Sequence, residues 1–183
     1  MEFPHLIKCI ATNGLLLPDR VTDLIRVGVQ TVTVTINAVD PEIGAEIYEY
    51  VLLNGKAYTG VRAARTLITK QIKGVELASI KGLLVKVNTV LIPGLNDEHV
   101  VEVAKTVADA GAFKMNIIPL IPLYRFIHHR SPTCEELKRA RARCEYYIPQ
   151  FRLCKLCRAD AFGVPGFEKG SAEYFLASSG CVH

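Results

Sequence analysis

Short β-branched runs and longer stretches of helical periodicity take turns along this chain, and that alternation admits few architectures. Leu6 to Ala11 is an apolar strand candidate that ends in the turn Thr12-Asn13-Gly14. Behind Pro18-Asp19, a suitable helix start, Val21, Leu24 and Ile25 fall on one face until Gly28 stops the helix. Thr31-Val32-Thr33-Val34-Thr35-Ile36-Asn37 alternates hydroxyl and aliphatic residues with period two, the mark of a strand with one polar face. Ala64, Leu67, Ile68, Ile72 and Val75 trace a long amphipathic helix that closes near Gly82. Leu83 to Ile92 is a second strongly β pattern, closed by Pro93-Gly94. Val100, Val103, Ala104, Val107 and Ala108 recur at helical spacing behind Asn96-Asp97, which are expected to cap that helix. Met115 to Ile121 is a further apolar strand, and Thr133 with Glu136 forms a capping box for a last helix whose inner face is Leu137, Ala140, Cys144 and Ile148.

Strand and helix repeated in this way imply a parallel sheet with crossover helices, in which ligands bind at the carboxyl ends of the strands. Those ends are Thr12-Asn13-Gly14, Asn37-Ala38-Val39-Asp40, Ile92 to Asp97 and Pro119-Leu120-Ile121-Pro122. The chain has 183 residues, and a complete (β/α)8 barrel typically takes about 250. The expected architecture is therefore incomplete, either an open sheet or the later portion of a barrel whose first strands are missing. A chain of this length that is 50% hydrophobic can bury one ordinary core, so one domain is expected.

Charge and targeting signals narrow the classes further. A formal net charge of +4 is too small a bias to argue nucleic-acid binding unless it is clustered. No apolar run approaches the ~20 residues needed to cross a bilayer, and Met1-Glu2-Phe3-Pro4-His5 lacks the layout of a secretory signal, so a cytoplasmic location is expected.

The six cysteines are expected to be thiols or metal ligands rather than disulfides. Cys154-Lys155-Leu156-Cys157 can turn two thiolates toward one soft metal centre, and by itself it suits zinc, an iron-sulfur cluster or dithiol redox chemistry. Cys9, at the end of its strand candidate, is either a ligand or a small buried hydrophobe, and Cys144 is expected in the core. His128-His129 reads as part of a solvated loop. Arg125, Arg130, Lys138, Arg139, Arg141, Arg143, Arg152, Lys155 and Arg158 outnumber the acids around them. They form either the solvated face of the last helix, cations beside an anionic cluster, or the contact surface of a zinc-stabilised nucleic-acid-binding module, which is the alternative function; aromatic residues are not interleaved there for base stacking.

The segments Ala11 to Leu15, Thr33 to Asp40, Val85 to Asn88 running on through Asp97, Asn116 to Ile121, and Cys154-x-x-Cys157-Arg158-Ala159-Asp160-Ala161 occur together in an order that resembles the later half of a radical S-adenosylmethionine (SAM) enzyme. Within that superfamily the likeness is to the NifB family of nitrogenase cofactor biosynthesis. It covers nearly everything up to about Gly163. The resemblance implies a partial TIM-type barrel in residues 1–163 and leaves 164–183 as a tail of unknown role. It also implies an enzyme of lyase or synthase type that fuses two [4Fe-4S] clusters into a carbide-centred eight-iron precursor, taking the carbon from SAM. By position, Cys154 and Cys157 would hold a substrate cluster and Cys9 would be another ligand. Thr35 would meet SAM through its hydroxyl and Val87 through apolar contact, and Asn116 and Ile117 would border the adenine. The family's Cys-x3-Cys-x2-Cys motif for the radical-generating cluster is absent from these residues. The expectation is thus a truncated or split protein that does not start radical chemistry alone. Implied partners are a cluster donor, a cofactor carrier or scaffold, and a complementary N-terminal polypeptide; neither nucleic acid nor membrane is expected. Open strand edges would favour such pairing or poor solubility.

Overall fold

The alternation in Thr31-Val32-Thr33-Val34-Thr35 is realised as a strand whose valines are completely buried while Thr31 and Thr35 remain half-buried. In the computed structural model, which describes residues 7–151, this strand, β2 (Thr31–Thr35), lies between β1 (Cys9–Thr12) and β5 (Leu84–Leu91), with β6 (Lys114–Pro119) beyond. The order is β1-β2-β5-β6 and every pairing is parallel. Between the strands run α1 (Leu17–Arg26), α3 (Gly60–Ile80) and α4 (Val100–Asp109), and α5 (Cys134–Glu145) follows β6. The architecture is mixed α/β with a parallel sheet, as expected of a partial TIM-type barrel.

Paired residues of parallel strands point to the same side, so the register sorts the sheet into two faces. One carries Val32, Val34, Val85, Val87, Met115 and Ile117, all within 1% of complete burial. These pack in one core against Leu17 and Val21 of α1, Val75 of α3, Val100 and Val103 of α4, and Leu137 and Cys144 of α5. Burying each such side chain contributes about 1.5–3 kcal/mol, which is why the helices gather on this face. The other face carries Cys9, Ala11, Thr33, Thr35, Lys86, Asn88, Lys114 and Asn116. Among the described residues no helix covers it, and Cys9, Ala11 and Leu84 are exposed.

One unit escaped the sequence pattern. After α2 (Pro41–Ile47), strands β3 (Tyr50–Leu53) and β4 (Lys56–Thr59) form an antiparallel hairpin turned by Asn54 and Gly55, both at positive φ (52° and 74°). Two central residues at φ > 0 make the tight turn that matches strand twist, and Asn-Gly is its strongest signal. Asp40 caps α2 by accepting from the Glu42 N–H at 2.7 Å, with Pro41 in the first turn.

The start of α4 also differs from expectation. Its cap position is His99, without a side-chain cap bond, and Asn96 is fully buried instead. Asn96 accepts from the Ile92 N–H at 2.8 Å and donates to the carbonyls of Val90 and Asn37 at 2.8 and 3.0 Å. Inside the fold, three backbone groups outweigh one helix end, because each would otherwise be buried unpaired. The capping box of Thr133 and Glu136 forms as read, and Leu137, Ala140, Cys144 and Ile148 line the inner face.

Beyond α5 the chain returns beside β6. The Met115 N–H donates to the Pro149 carbonyl at 3.0 Å and the Phe151 N–H to the Met115 carbonyl at 2.7 Å, a parallel bridge at Gln150.

Candidate functional site at the strand tips

Thr35, Asn88 and Asn116 are in register across three adjacent strands, forming one polar row on the open face. Neighbouring strands are about 4.8 Å apart, so a small polar ligand can touch the whole row. Asn116 donates to Asn88 Oδ1 at 3.3 Å. Although Asn116 is only 2% exposed, its own Oδ1 has no partner. An orphaned buried acceptor costs about 1–3 kcal/mol, and a ligand hydroxyl or amine would satisfy it.

The loops around this row are held by side chains beneath it. Gln71 of α3, 1% exposed, donates from Nε2 to the Asn13 and Thr35 carbonyls, both at 2.8 Å, and so clamps the tips of β1 and β2 together. The Thr12 hydroxyl accepts from the Gly14 N–H and Asn13 Oδ1 from the Leu15 N–H, each at 3.1 Å. Gly14 lies at φ +84°, and a Cβ there would sit 2.8 Å from Val34 Cγ1 and 2.9 Å from Gln71 Cγ. The glycine of Thr12-Asn13-Gly14 is thus required twice over, by backbone conformation and by space. Beyond β2, the Asn37 N–H donates to the Tyr48 hydroxyl at 3.2 Å, and burial pushes that phenol above its ordinary range against the pull of the same N–H. The Val39 and Asp40 N–H groups both donate to His99 Nε2, at 3.0 and 3.2 Å. His99 is therefore held neutral; burial lowers its pKa, opposed by the nearby carboxylates of Asp40 and Glu102.

The expected SAM contacts divide between the two faces. Thr35 and Asn116 lie on the open face. Val87 and Ile117 lie on the opposite one, with no exposed surface, packed in the helix-covered core. Successive strand residues point to opposite sides, so the side chains of Val87 and Ile117 face the helices, and a ligand on the open face meets these two residues through their backbone. Asn88 was missed, although the alternation Lys86, Asn88 against Val85, Val87 marked it.

Cys9 opens β1 rather than ending a strand, as an exposed free thiol. It shares the open face, paired with Thr31, four residues and about 13 Å below the Thr35 row. Cys154, Cys157 and the 164–183 tail lie outside the described residues. Among the described residues no three His, Cys, Asp or Glu side chains gather as a metal site. The open polar row therefore suits SAM, whereas these residues do not by themselves hold a [4Fe-4S] cluster. Cys144 is the expected core thiol, fully buried and pushed up to about 11 by desolvation. Cys134, first residue of α5, is disulfide-bonded, against the expectation of thiols or ligands throughout.

The basic segment is partly committed within the fold. Arg143 pairs with Glu98 at 2.8 Å, Arg130 with Glu136 at 2.6 Å, and Arg141 donates to the Ile117 carbonyl at 2.8 Å. No helix among the described residues is long and apolar enough to cross a membrane.

Residues 3–107 match the family profile described as the Radical SAM superfamily. The FeMo cofactor biosynthesis protein NifB of Methanocaldococcus jannaschii is 52% identical over 174 residues, covering 95% of this chain and 58% of that protein. The same-named protein of Methanocaldococcus infernus is 51% identical, covering 95% and 57%, and that of Bradyrhizobium diazoefficiens 48%, covering 93% and 35%. The chain thus spans little more than half the length of its archaeal relatives. Two solved structures share the fold. A domain of a pyruvate-formate lyase-activating enzyme from Bacteroides vulgatus has a TM-score of 0.58 at 11% identity, covering 80% of each chain. A radical SAM methyltransferase from Sphaerobacter thermophilus has 0.59 at 21%, covering 78% of this chain and 39% of its own. None of these likenesses supports the zinc-stabilised nucleic-acid-binding alternative. With a parallel sheet open on one polar face and the family profile matched over residues 3–107, the chain belongs to the radical SAM superfamily and is a NifB-like segment of it.

Proposed function

We propose that this chain forms the later wall of a SAM-binding barrel working in FeMo cofactor biosynthesis, as an enzyme of lyase or synthase type that helps fuse two [4Fe-4S] substrate clusters into a carbide-centred eight-iron precursor. The observation that carries the proposal is the in-register row Thr35, Asn88, Asn116 with its orphaned amide oxygen. When bound, one SAM would supply the carbon as its methyl group, and a second SAM, reduced by one electron, would supply a 5'-deoxyadenosyl radical. The chain's own residues orient and enclose: Thr35 and Asn116 offer hydrogen bonds, Gln71 fixes the tips of β1 and β2, and Asn96 with His99 fixes the loop after β2. Cys154 and Cys157 ligate the substrate cluster by their likeness to the family motif. Cys9, on the same open face, adds a thiolate from inside the barrel rather than at its mouth.

Radical generation needs a Cys-x3-Cys-x2-Cys segment, which these 183 residues do not contain; that segment, on the same or a complementary polypeptide, completes the catalyst, and a cluster donor and a carrier protein serve it in the cytoplasm. The test is anaerobic reconstitution with iron and sulfide, alone and with a polypeptide carrying that motif, followed by incubation with SAM and dithionite. 5'-Deoxyadenosine and the eight-iron product are expected only in the combination. Stoichiometric 5'-deoxyadenosine from the chain alone would overturn the division of labour, and failure to bind S-adenosylhomocysteine would overturn the SAM site itself.

A further inference from the structure

Lys86 and Lys114 are directly paired neighbours on β5 and β6, both facing the open side, one row below Asn88 and Asn116. Like charges in directly opposed cross-strand positions are destabilising. Neither lysine makes an ion pair among the described residues, and no strand residue on that face is a carboxylate. Both ammonium groups lie by aromatic rings instead: Lys86 Nζ is 4.8 Å from the centroid of Phe151, and Lys114 Nζ is 5.4 Å from that of Phe113 and 6.0 Å from that of Phe151. A cation over a ring face recovers about 0.5–1 kcal/mol at an exposed site, which holds the two charges together without neutralising them. A second observation is the unpartnered amide oxygen of Asn116, 98% buried, in the adjacent row of the same face. Polar capacity on this face thus exceeds what the fold itself uses.

We propose that Lys86 and Lys114 form an anion seat inside the barrel wall that holds the thiolate-ligated iron-sulfur substrate, itself an anion, by charge rather than by coordination. The proposal rests on the function proposed above and adds how an anionic cargo is retained while its ligands exchange. The pair lies two residues, about 7 Å, below the polar row, and Cys9 lies two residues below the pair's row on β1. The seat therefore lies between the thiol and the SAM row.

The experiment compares the full chain with its K86M/K114M and K86R/K114R variants after anaerobic reconstitution with iron and sulfide. Iron and acid-labile sulfide remaining per chain are measured on desalting at rising KCl. The unaltered chain and the arginine variant are expected to retain cluster alike, and the methionine variant to lose it about tenfold faster as salt screening weakens what attraction remains. Equal retention in all three, or no retention in the unaltered chain, overturns the seat. S-Adenosylhomocysteine binding by calorimetry is the separate arm. If the unaltered chain fails to bind it, the SAM site fails independently of the lysines. If only K86M/K114M fails to bind it, the pair serves the amino-acid end of that ligand and the cluster seat is wrong. Thermal melting should show K86M/K114M at least as stable as the unaltered chain, since a repulsive pair has been removed.

Discussion

The side-chain amide of Asn96 donates to the main-chain carbonyl of Asn37 at 3.0 Å, joining positions 59 apart in sequence. That bond ties the loop after β5 to the loop after β2, two of the rims any ligand on the open face must meet. Asn37 returns the connection by accepting from the Val90 N–H at 2.9 Å through its Oδ1.

Replacing Asn96 by Leu strands the Ile92 N–H and the Asn37 and Val90 carbonyls. A loss of about 3 kcal/mol is expected, since each buried unpaired group costs about 1–3 kcal/mol and part of that cost relaxes. Urea unfolding should show a lower midpoint with an unchanged slope.

His99 accepts two N–H bonds through Nε2, which only the neutral ring can do. Its folded pKa lies below the ordinary 6.5, so the unfolded state binds more protons between the two values and stability falls as pH drops through that window. Above 6.5 the contribution is fully present. The stability difference between the parent and His99→Gln, whose amide oxygen can still accept, should shrink as urea titrations move from neutral pH toward 5.5, about one unit below the ordinary value.

Gly14 and Gly55 both have positive φ, but an added Cβ meets Val34 and Gln71 at the first and nothing within 4 Å at the second. Gly55→Ala should therefore cost only the conformational penalty, about 1 kcal/mol. Gly14→Ala should exceed it by at least another 1–2 kcal/mol through overpacking. Paired thermal melts of the two variants measure the difference.

Thiol labelling should separate two cysteines. Cys9 is exposed, whereas Cys144 is fully buried with a pKa near 11. At pH 8 about one Cys144 thiol in a thousand would be ionised even if reached. Brief alkylation of the native protein followed by peptide mass analysis should find Cys9 modified and Cys144 intact; equal labelling would contradict the packing of α5 against α4.

Thr35→Val and Val87→Ala probe opposite faces of the sheet. The first removes a hydroxyl from the open face and should weaken S-adenosylhomocysteine binding several-fold with little change in melting temperature. The second leaves a cavity in the core and should cost about 2 kcal/mol of stability, with binding altered only through that loss. Calorimetric titration beside melting curves distinguishes the two.

How far the pattern could be read depended on how many residues carried it. A run of β-forming residues closed by Pro93-Gly94 made β5 plain, and the capping box made the start of α5 plain. The hairpin from Tyr50 to Thr59 was passed over because its strands are four residues each, too short to show a period. Asn54-Gly55 was the available signal. Asn96 misled for a different reason: good capping residues are also good partners for buried backbone, and only the neighbouring strand decides which role wins.

The one-dimensional pattern by itself determined that strands and helices alternate, that Thr31, Thr33 and Thr35 share one side, and that Gly14 sits in a turn, because these depend on backbone sterics and on contacts a few residues away. It did not determine which side faces a ligand. Val87 and Ile117 were assigned to the site by position, and it took the packing of α1, α3, α4 and α5 onto their face to put them in the core. Likewise Cys9 acquired its depth below the tips from its pairing with Thr31. Face and depth belong to the sheet as a whole, since they arise only when strands distant in sequence pair in one register and apolar area chooses the side that leaves water.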